Sequence, residues 1–216
     1  MAIFVENVKA MQENGIQAAM TESWRGKILA GVFIGLGAGG YLALGGIAGA
    51  VIFAFGLAGV VISGVPLYTG RAGTDTRLKD LAGILLLNIV GAAAVGALVL
   101  AAGKAESLER AADIVSGRIA AGPWRALARA AGCGVIIDLT VWLYRKSQSL
   151  IVILLGVPLF ILCGFYHSIA DVTYMVAAAR WENGFLWYYP VIVIGNYLGC
   201  NLRKIIFLTR RPPAGD

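Results

Sequence analysis

Six long apolar stretches fill most of this 216-residue chain and limit what it can fold into. A helix needs about 20 consecutive apolar residues to cross the hydrocarbon core of a bilayer. Hydrophobic residues make up 59% of the chain and charged residues only 14%, which is typical of a polytopic membrane protein and excludes an ordinary soluble domain. The sequence therefore predicts an all-α membrane protein with six transmembrane spans, at about residues 28–48, 50–68, 81–103, 126–144, 150–179 and 185–208.

The lysines and arginines of the connecting segments predict the orientation of these spans. Twelve of them lie in the N-terminal segment, in the loops after spans two and four, and at the C-terminal end, against six on the opposite face. The positive-inside rule then places both termini in the cytoplasm. We expect a cytoplasmic segment over residues 1–26, which is either a short helix on the membrane surface or a loose tail, a six-span domain over 27–208, and a cytoplasmic tail over 209–216.

The single histidine of the chain, His167, follows the apolar run that begins at Leu150. A titratable side chain at mid-depth of a membrane is costly and usually marks a pathway. Ser168 and Asp171 have the spacing of a capping box, which predicts that a helix begins inside the membrane beside His167. The alternative is one continuous helix with a hydrogen-bonded histidine at a helix interface.

The two halves of the chain repeat an order of motifs. An interruption at 64–70 is followed by Asn88-Ile-Val-Gly91, and an interruption at 164–171 is followed by Asn196-Tyr-Leu-Gly199. Three spans per half make the halves face opposite ways, so spans two and five form the interrupted, aquaporin-like pair of an inverted repeat. The residues expected at the helix breaks are Gly64, Gly164, Asn88, Asn196, Ser168 and Asp171. Chance similarity in a glycine-rich chain, and asparagines that merely bond neighbouring helices, remain the alternatives.

No catalytic, metal or cofactor site is expected. His167, Ser168 and Asp171 lie within five residues and cannot surround a substrate as a catalytic triad does. The three cysteines have no metal-ligand spacing. The net charge of +6 is attributed to loop topology and not to nucleic-acid binding.

Two further groups of residues have structural interpretations. Asp138 is expected to snorkel toward Arg145, seven residues later, or to pair with it, rather than to act in a proton relay. An aromatic cluster near the start of span six is expected to form an interfacial belt; it consists of Trp181, Trp187, Tyr188 and Tyr189.

Several motifs together resemble those of the formate/nitrite transporter family. Residues 164–171 read Gly-Phe-Tyr-His-Ser-Ile-Ala-Asp, and the family's usual form is Gly-Phe-Glu-His-Ser-Ile-Ala-Asn. Residues 53–57 and 64–70 resemble its span two and its Leu-Phe-Thr loop, and residues 88–91 and 194–199 resemble its motifs in spans three and six. The resemblance covers nearly the whole chain in order, as in a short and divergent member.

The resemblance implies a homopentamer in the plasma (inner) membrane of a prokaryote, with a separate pore in each six-span protomer. The residues implied to line the pore are an outer aromatic pair, an inner leucine pair and a central polar pair: Phe53 and Phe160, Leu57 and Leu67, and His167 and Thr69. It also implies a small monovalent weak-acid anion as substrate, with formate as the first choice. Nitrite, hydrosulfide and lactate remain open, as does a neutral small solute.

A proton passed to the anion, from His167 or from bulk water, would make a neutral acid that crosses an apolar ring cheaply. Three positions depart from the family pattern. Tyr166 replaces a usual Glu, and Arg118 aligns with a usual Lys near the outer mouth; both are implied to belong to the pore as well. Gly134 replaces a usual Asn. The segment between Thr69 and Asn88 is also too short for the usual second half-helix.

Overall fold

The computed structural model describes residues 23–74, 76–179 and 184–208. The predicted N-terminal surface helix and the C-terminal tail lie almost wholly outside these ranges. The described residues form helices and no strands: α1 (Trp24–Leu44), α2 (Gly46–Ser63), α3 (Tyr68–Ala72), α4 (Leu78–Ala102), α5 (Ala105–Ala120), α6 (Pro123–Ser147), α7 (Ile151–Leu162), α8 (Ser168–Ala178) and α9 (Phe185–Leu208).

Long apolar helices dominate this part of the chain. Within the described residues, α1, α2, α4 and α6 are long and apolar enough to cross a membrane. Two shorter helices, α7 and α8, are separated by the non-helical residues 163–167, and α2 is separated from α3 by residues 64–67. The predicted all-helical fold with two interrupted helices is confirmed, and the count of six spans stays a prediction.

The helices form two halves with the same order of contacts. In the first half α1 packs against α2 and α4, and in the second α6 packs against α7 and α9. The half-helices are exchanged: α3 lies against α6 and α9, whereas α8 lies against α1 and α4. Each short helix is therefore held by the long helices of the other half, as an inverted repeat with two broken helices requires.

Helix α5 links the two halves and covers α8. Its buried residues fall on one face, at Ser107, Ala111, Ala112 and Val115, because these positions recur at the helical period. Lys104 Nζ donates to the Ala43 carbonyl at 3.1 Å, and Arg110 donates to the Leu42 carbonyl. The two cations thus satisfy the exposed carbonyl end of α1 and fix α5 beside it.

The turn between α1 and α2 depends on two glycines. Gly45 and Gly46 have φ values of 66° and 52°, a region that side chains with a Cβ rarely adopt. They end α1 at Leu44, before the predicted end at residue 48, and they start α2 earlier than predicted.

Position 134 accepts only a glycine, because the backbone of α9 lies too close to α6 there for a side chain. A Cβ on Gly134 would lie 2.9 Å from the Cys200 nitrogen and closer still to the Asn196 carbonyl oxygen. Gly31 has the corresponding place in the first half, where a Cβ would lie 2.8 Å from the Asn88 carbonyl carbon. The family's usual asparagine would not fit at position 134 in this chain, because α6 and α9 approach too closely there.

We expect Gly134→Ala to destabilise the protein by about 1–3 kcal/mol, since the added methyl group forces two helix backbones apart. The measurement is the temperature at which the purified protein loses its monodisperse state in detergent. Gly83→Ala is the matched control, because a Cβ there meets no described atom within 4 Å. An equal loss of stability in both variants would contradict the packing argument.

Candidate functional site

Asn88, buried in α4, holds the first helix break. Its Oδ1 accepts a hydrogen bond from the backbone N–H of Tyr68, the first residue of α3, at 2.8 Å. Its Nδ2 donates to the carbonyls of Lys27 at 2.7 Å and Pro66 at 3.1 Å. One carboxamide therefore satisfies two backbone groups of the break, the Tyr68 N–H and the Pro66 carbonyl, and ties them to the Lys27 carbonyl of α1.

Asn196, buried in α9, does the same at the second break. Its Oδ1 accepts from the N–H of Ser168, the first residue of α8, at 2.8 Å. Its Nδ2 donates to the carbonyls of Tyr166 and Ala130, both at 2.8 Å. The two asparagines thus make the same three kinds of contact at the two breaks. Each break also contains a glycine with a φ of 69°, Gly64 in the first and Gly164 in the second.

His167 closes the N-terminus of α8. Its Nδ1 accepts from the N–H groups of Ile169 at 3.2 Å and Ala170 at 3.4 Å. The predicted capping box of Ser168 and Asp171 is wrong, because the cap lies one residue earlier and Ser168 is already helical. The Ser168 hydroxyl is buried with no hydrogen-bond partner among the described residues.

The other ring nitrogen of His167 faces Thr69. Nε2 lies 3.2 Å from Thr69 Oγ1, and both residues are almost completely buried. Because Nδ1 accepts two hydrogen bonds, the neutral ring carries its proton on Nε2 and can donate it to the threonine hydroxyl. The Thr69 carbonyl in turn accepts from Cys200 Sγ at 3.2 Å, which ties α3 to α9.

Aromatic and aliphatic side chains enclose this polar pair. The ring of Phe160 lies 5.9 Å from the His167 ring and 5.7 Å from the Phe53 ring, measured between centroids. Leu57 and Leu67 are each at most 2% exposed. The structure therefore places these three predicted pairs in its buried interior, with Phe53, Phe160, His167 and Thr69 linked by contacts.

A cavity of about 300 Å³ opens on one side of the histidine, next to α5; we call it the α5-side cavity. Phe160 and His167 form part of its wall. Its charged lining consists of Arg118, Arg129, Asp113 and Asp171. Two guanidinium groups thus lie in a cavity that reaches the central polar pair.

Arg118 and Asp171 form a buried ion pair in the wall of this cavity. The Arg118 side chain is 15% exposed and that of Asp171 only 1%, and the guanidinium donates directly to the carboxylate. Tyr188 donates its hydroxyl to the other carboxylate oxygen at 2.6 Å. A buried charge pair is tolerated when further hydrogen bonds satisfy it, and Tyr188 supplies one here.

Tyr166 lies between two arginines. The Arg118 guanidinium is 4.4 Å from the centre of its ring, and Arg129 donates to its hydroxyl at 2.7 Å. Arg129 also lies 5.5 Å from the ring centre. Tyrosine therefore serves here as a neutral partner of two cations, through its ring face and its hydroxyl.

A second cavity, of about 130 Å³, lies next to α3; we call it the α3-side cavity. Leu57 and Leu67 belong to its mostly apolar wall, and Arg71 and Arg145 are the charged residues that line it. The α3-side cavity thus also contains two arginines, and its wall includes Leu67 and Gly70 on either side of Thr69 in the chain.

Two expectations for other polar residues are wrong. Asp138 pairs with Arg203 and not with Arg145; Arg203 Nε lies 2.6 Å from Asp138 Oδ2, because α6 and α9 pack together along their length. Tyr188 is fully buried and bonded to Asp171, so it is not part of an interfacial aromatic belt. Trp181 of that proposed belt lies outside the described residues.

Sequence reasoning missed Arg129 and Tyr188 as members of this site. Arg129 carried a usable signal, because it falls inside predicted span four and a charged residue within a span is rarely neutral to function. The sequence contains no signal that separates Tyr188 from the neighbouring aromatic residues. Residues 105–120, which fall between predicted spans three and four, form α5, which brings Arg118 to α8.

Comparisons with known proteins agree on one family. A family model described as formate/nitrite transporter matches residues 2–207. An uncharacterized transporter of Bacillus subtilis (strain 168), YrhG, is 29% identical over 164 residues, covering 67% of this chain and 61% of that protein. This chain thus spans less than two thirds of the length of the curated relative that it matches.

Two solved structures have the same fold. A pentameric formate channel with formate bound superposes with a TM-score of 0.77 at 18% identity, covering 89% of this chain and 97% of that one. An FNT family ion channel superposes with a TM-score of 0.77 at 19% identity, covering 94% and 100%.

We expect Asp171→Asn to destabilise the protein by about 3–5 kcal/mol, because it leaves the Arg118 guanidinium buried without a counter-charge. Removing both charges, as Arg118→Gln with Asp171→Asn, should recover part of that loss. Thermal unfolding in detergent measures the effect, with Asp113→Asn as the control at an exposed carboxylate of the same cavity. The same loss for Asp113→Asn and Asp171→Asn would show that the ion pair has no special role.

Proposed function

The chain belongs to the formate/nitrite transporter family, and on that basis we propose that it conducts small monovalent weak-acid anions, formate first, across a membrane. Members of this family are channels and transporters and not enzymes. The observation that carries the proposal is the buried pair of His167 and Thr69, together with two cavities that each contain two arginines; His167 lines one of them, and residues on either side of Thr69, Leu67 and Gly70, line the other.

The arginines provide the first step, which is to gather anions. Arg71 and Arg145 create a positive potential in the α3-side cavity, and Arg118 and Arg129 bring two guanidinium groups into the α5-side cavity. Such a potential raises the local concentration of anions. The two cavities differ in strength, because the carboxylates of Asp113 and Asp171 offset the first pair, whereas no acidic residue is among the described residues lining the α3-side cavity.

The apolar side chains provide the second step, which is selection by desolvation. Phe53 and Phe160 on one side, and Leu57 and Leu67 on the other, offer a passing anion no hydrogen bonds. A bare anion pays a large cost to enter such surroundings, while a neutral acid of the same size pays little. Conversion of the anion to its acid is therefore the condition for passage, and it couples flux to protons.

We assign His167 the role of a hydrogen-bond donor in that conversion. Its Nδ1 is occupied as the cap of α8, so Nε2–H is the atom that points at Thr69 and is able to reach the substrate. A neutral imidazole holds an anion through this N–H but does not give the proton away, because that would leave an imidazolate. The proton that neutralises the anion then comes from hydronium of the bulk solution, which is left as water, while Nε2–H and the Thr69 hydroxyl orient the anion.

The oligomeric state and the cellular location are also proposed from the family and the fold. A structure with this fold is a pentameric formate channel. We propose a homopentamer with one pore per protomer, placed in the plasma (inner) membrane of a prokaryote with both termini in the cytoplasm. The exposed apolar residues on the outer faces of the long helices, such as Leu86 and Leu98 of α4, support contact with lipid or with neighbouring protomers.

Reconstitution in liposomes tests the substrate class. We expect formate flux that rises as the pH falls, because the neutral acid is the species that passes the apolar residues. Nitrite, hydrosulfide, acetate and lactate, added in turn, should compete in an order that falls with size. Passage of neutral solutes alone, with no competition by any anion, would refute the proposal and favour a small-solute channel.

The role of His167 is tested by His167→Asn. Asparagine is itself a good N-cap, so α8 should keep its start while the Nε2–H donor is lost. We expect a flux at least about tenfold lower, as for the loss of one charge-assisted hydrogen bond, with an unchanged pH at half-maximal flux.

Thr69→Val, which keeps the volume and removes the hydroxyl, is the matched variant on the facing helix and should reduce flux with the same unchanged pH profile. A shift of the half-maximal pH in His167→Asn but not in Thr69→Val would contradict our assignment, because it would mean that the imidazole itself gains and loses the transported proton.

A further inference from the structure

A third cavity, of about 240 Å³, lies beside the first helix break and is distinct from the α5-side and α3-side cavities; we call it the break cavity. Its walls come from α1, from the break, from α3 and from the first turns of α4. The residues that line it are Lys27, Pro66, Arg71, Thr76, Arg77, Asp80 and Ile84. Nothing in the proposed transport route requires this cavity.

The charges around the break cavity are unbalanced. Among the described residues that line it, three are cations and one, Asp80, is a carboxylate. Asp80 is already engaged by Arg77, whose Nε lies 2.7 Å from Asp80 Oδ2. Lys27 and Arg71 form no ion pair with a described carboxylate, so the described residues of the lining carry an excess of positive charge. An excess of positive charge in a concave site with guanidinium groups suits an oxyanion that accepts several hydrogen bonds at once.

The break cavity also touches the parts that shape the pore. The carbonyls of Lys27 and Pro66, two of its lining residues, are the ones that Asn88 holds. Arg71 lines both the break cavity and the α3-side cavity. A ligand in the break cavity would therefore share one guanidinium with the route of the transported anion and would lie against the backbone that leads to Leu67.

We propose that the break cavity binds a phosphate group, held by Lys27, Arg71 and Arg77. The cavity is far larger than a formate ion, and its three cations come from three separate elements, so a tetrahedral oxyanion with several acceptor oxygens fits it better than the transported anion does. Free phosphate and the headgroup of an anionic phospholipid share this chemistry. Binding draws Arg71 toward the break cavity and lowers the positive charge available in the α3-side cavity.

Thermal unfolding of the purified full-length protein tests the proposal without any transport measurement. Inorganic phosphate is titrated in neutral detergent at constant ionic strength set with chloride. In parallel, nanodiscs of phosphatidylcholine are compared with nanodiscs that also contain phosphatidylglycerol, in phosphate-free buffer. Stabilisation in the first arm identifies free phosphate, and stabilisation in the second arm alone identifies a lipid headgroup.

The variants are Lys27→Gln and Arg77→Gln, which keep the backbone carbonyls and do not alter the α3-side cavity. Lys79→Gln is the control, since Lys79 is exposed beside them on α4 and does not line the break cavity. We expect half-saturation to need at least about tenfold more ligand in each of the two variants and to stay unchanged in the control. Asp80→Asn, which removes the carboxylate, should bind more tightly.

No stabilisation in either arm, or the same stabilisation in Lys27→Gln, Arg77→Gln and the control, would overturn the proposal. Because the readout is unfolding, a protein that binds phosphate here and conducts no weak acid would refute the proposed function alone.

Discussion

Two broken helices end inside an apolar interior, and the structure depends on satisfying the backbone groups that they leave unpaired. Water is absent from a bilayer core, so every such N–H and C=O needs a partner within the protein. Asn88 and Asn196 each supply one acceptor and two donors at the point where a half-helix begins. With these bonds in place, a short helix of each half can enter the other half and present Thr69 and His167 to each other.

The family motif usually has its carboxylate directly before the histidine, whereas this chain has it four residues after the histidine, at Asp171. The usual Glu before the histidine is Tyr166 here, and the usual Asn four residues after it is Asp171. The structure gives both changes one explanation, because Arg118 stacks on the Tyr166 ring and pairs with Asp171. The charge balance is thus kept one turn into α8, away from the histidine, and a neutral aromatic ring takes the place beside it.

The order of the helices and the two breaks could be predicted from sequence, because span length, glycine and asparagine spacing are local signals. The cap at His167 could not be separated from one at Ser168, since both residues precede the same helix and only the ring's position decides. The partners of Asp138 and Tyr188 depend on how α6 and α8 meet α9, and pairs so distant in the chain leave no pattern in a single sequence. Helix α5 could not be recognised as part of the core, because its buried residues form only a narrow stripe on an otherwise polar helix.

The engagement of His167 as a helix cap has a consequence for energy conservation. A histidine relays protons through a membrane by taking one at one ring nitrogen and releasing it from the other. Here Nδ1 is fixed against two backbone amides, so the ring presents a single exchangeable face. In the proposed channel, such a site would hold a substrate without relaying protons between the two aqueous compartments. A cell that stores energy as a proton gradient could then keep the proposed channel in its membrane without dissipating that gradient when no weak acid is present.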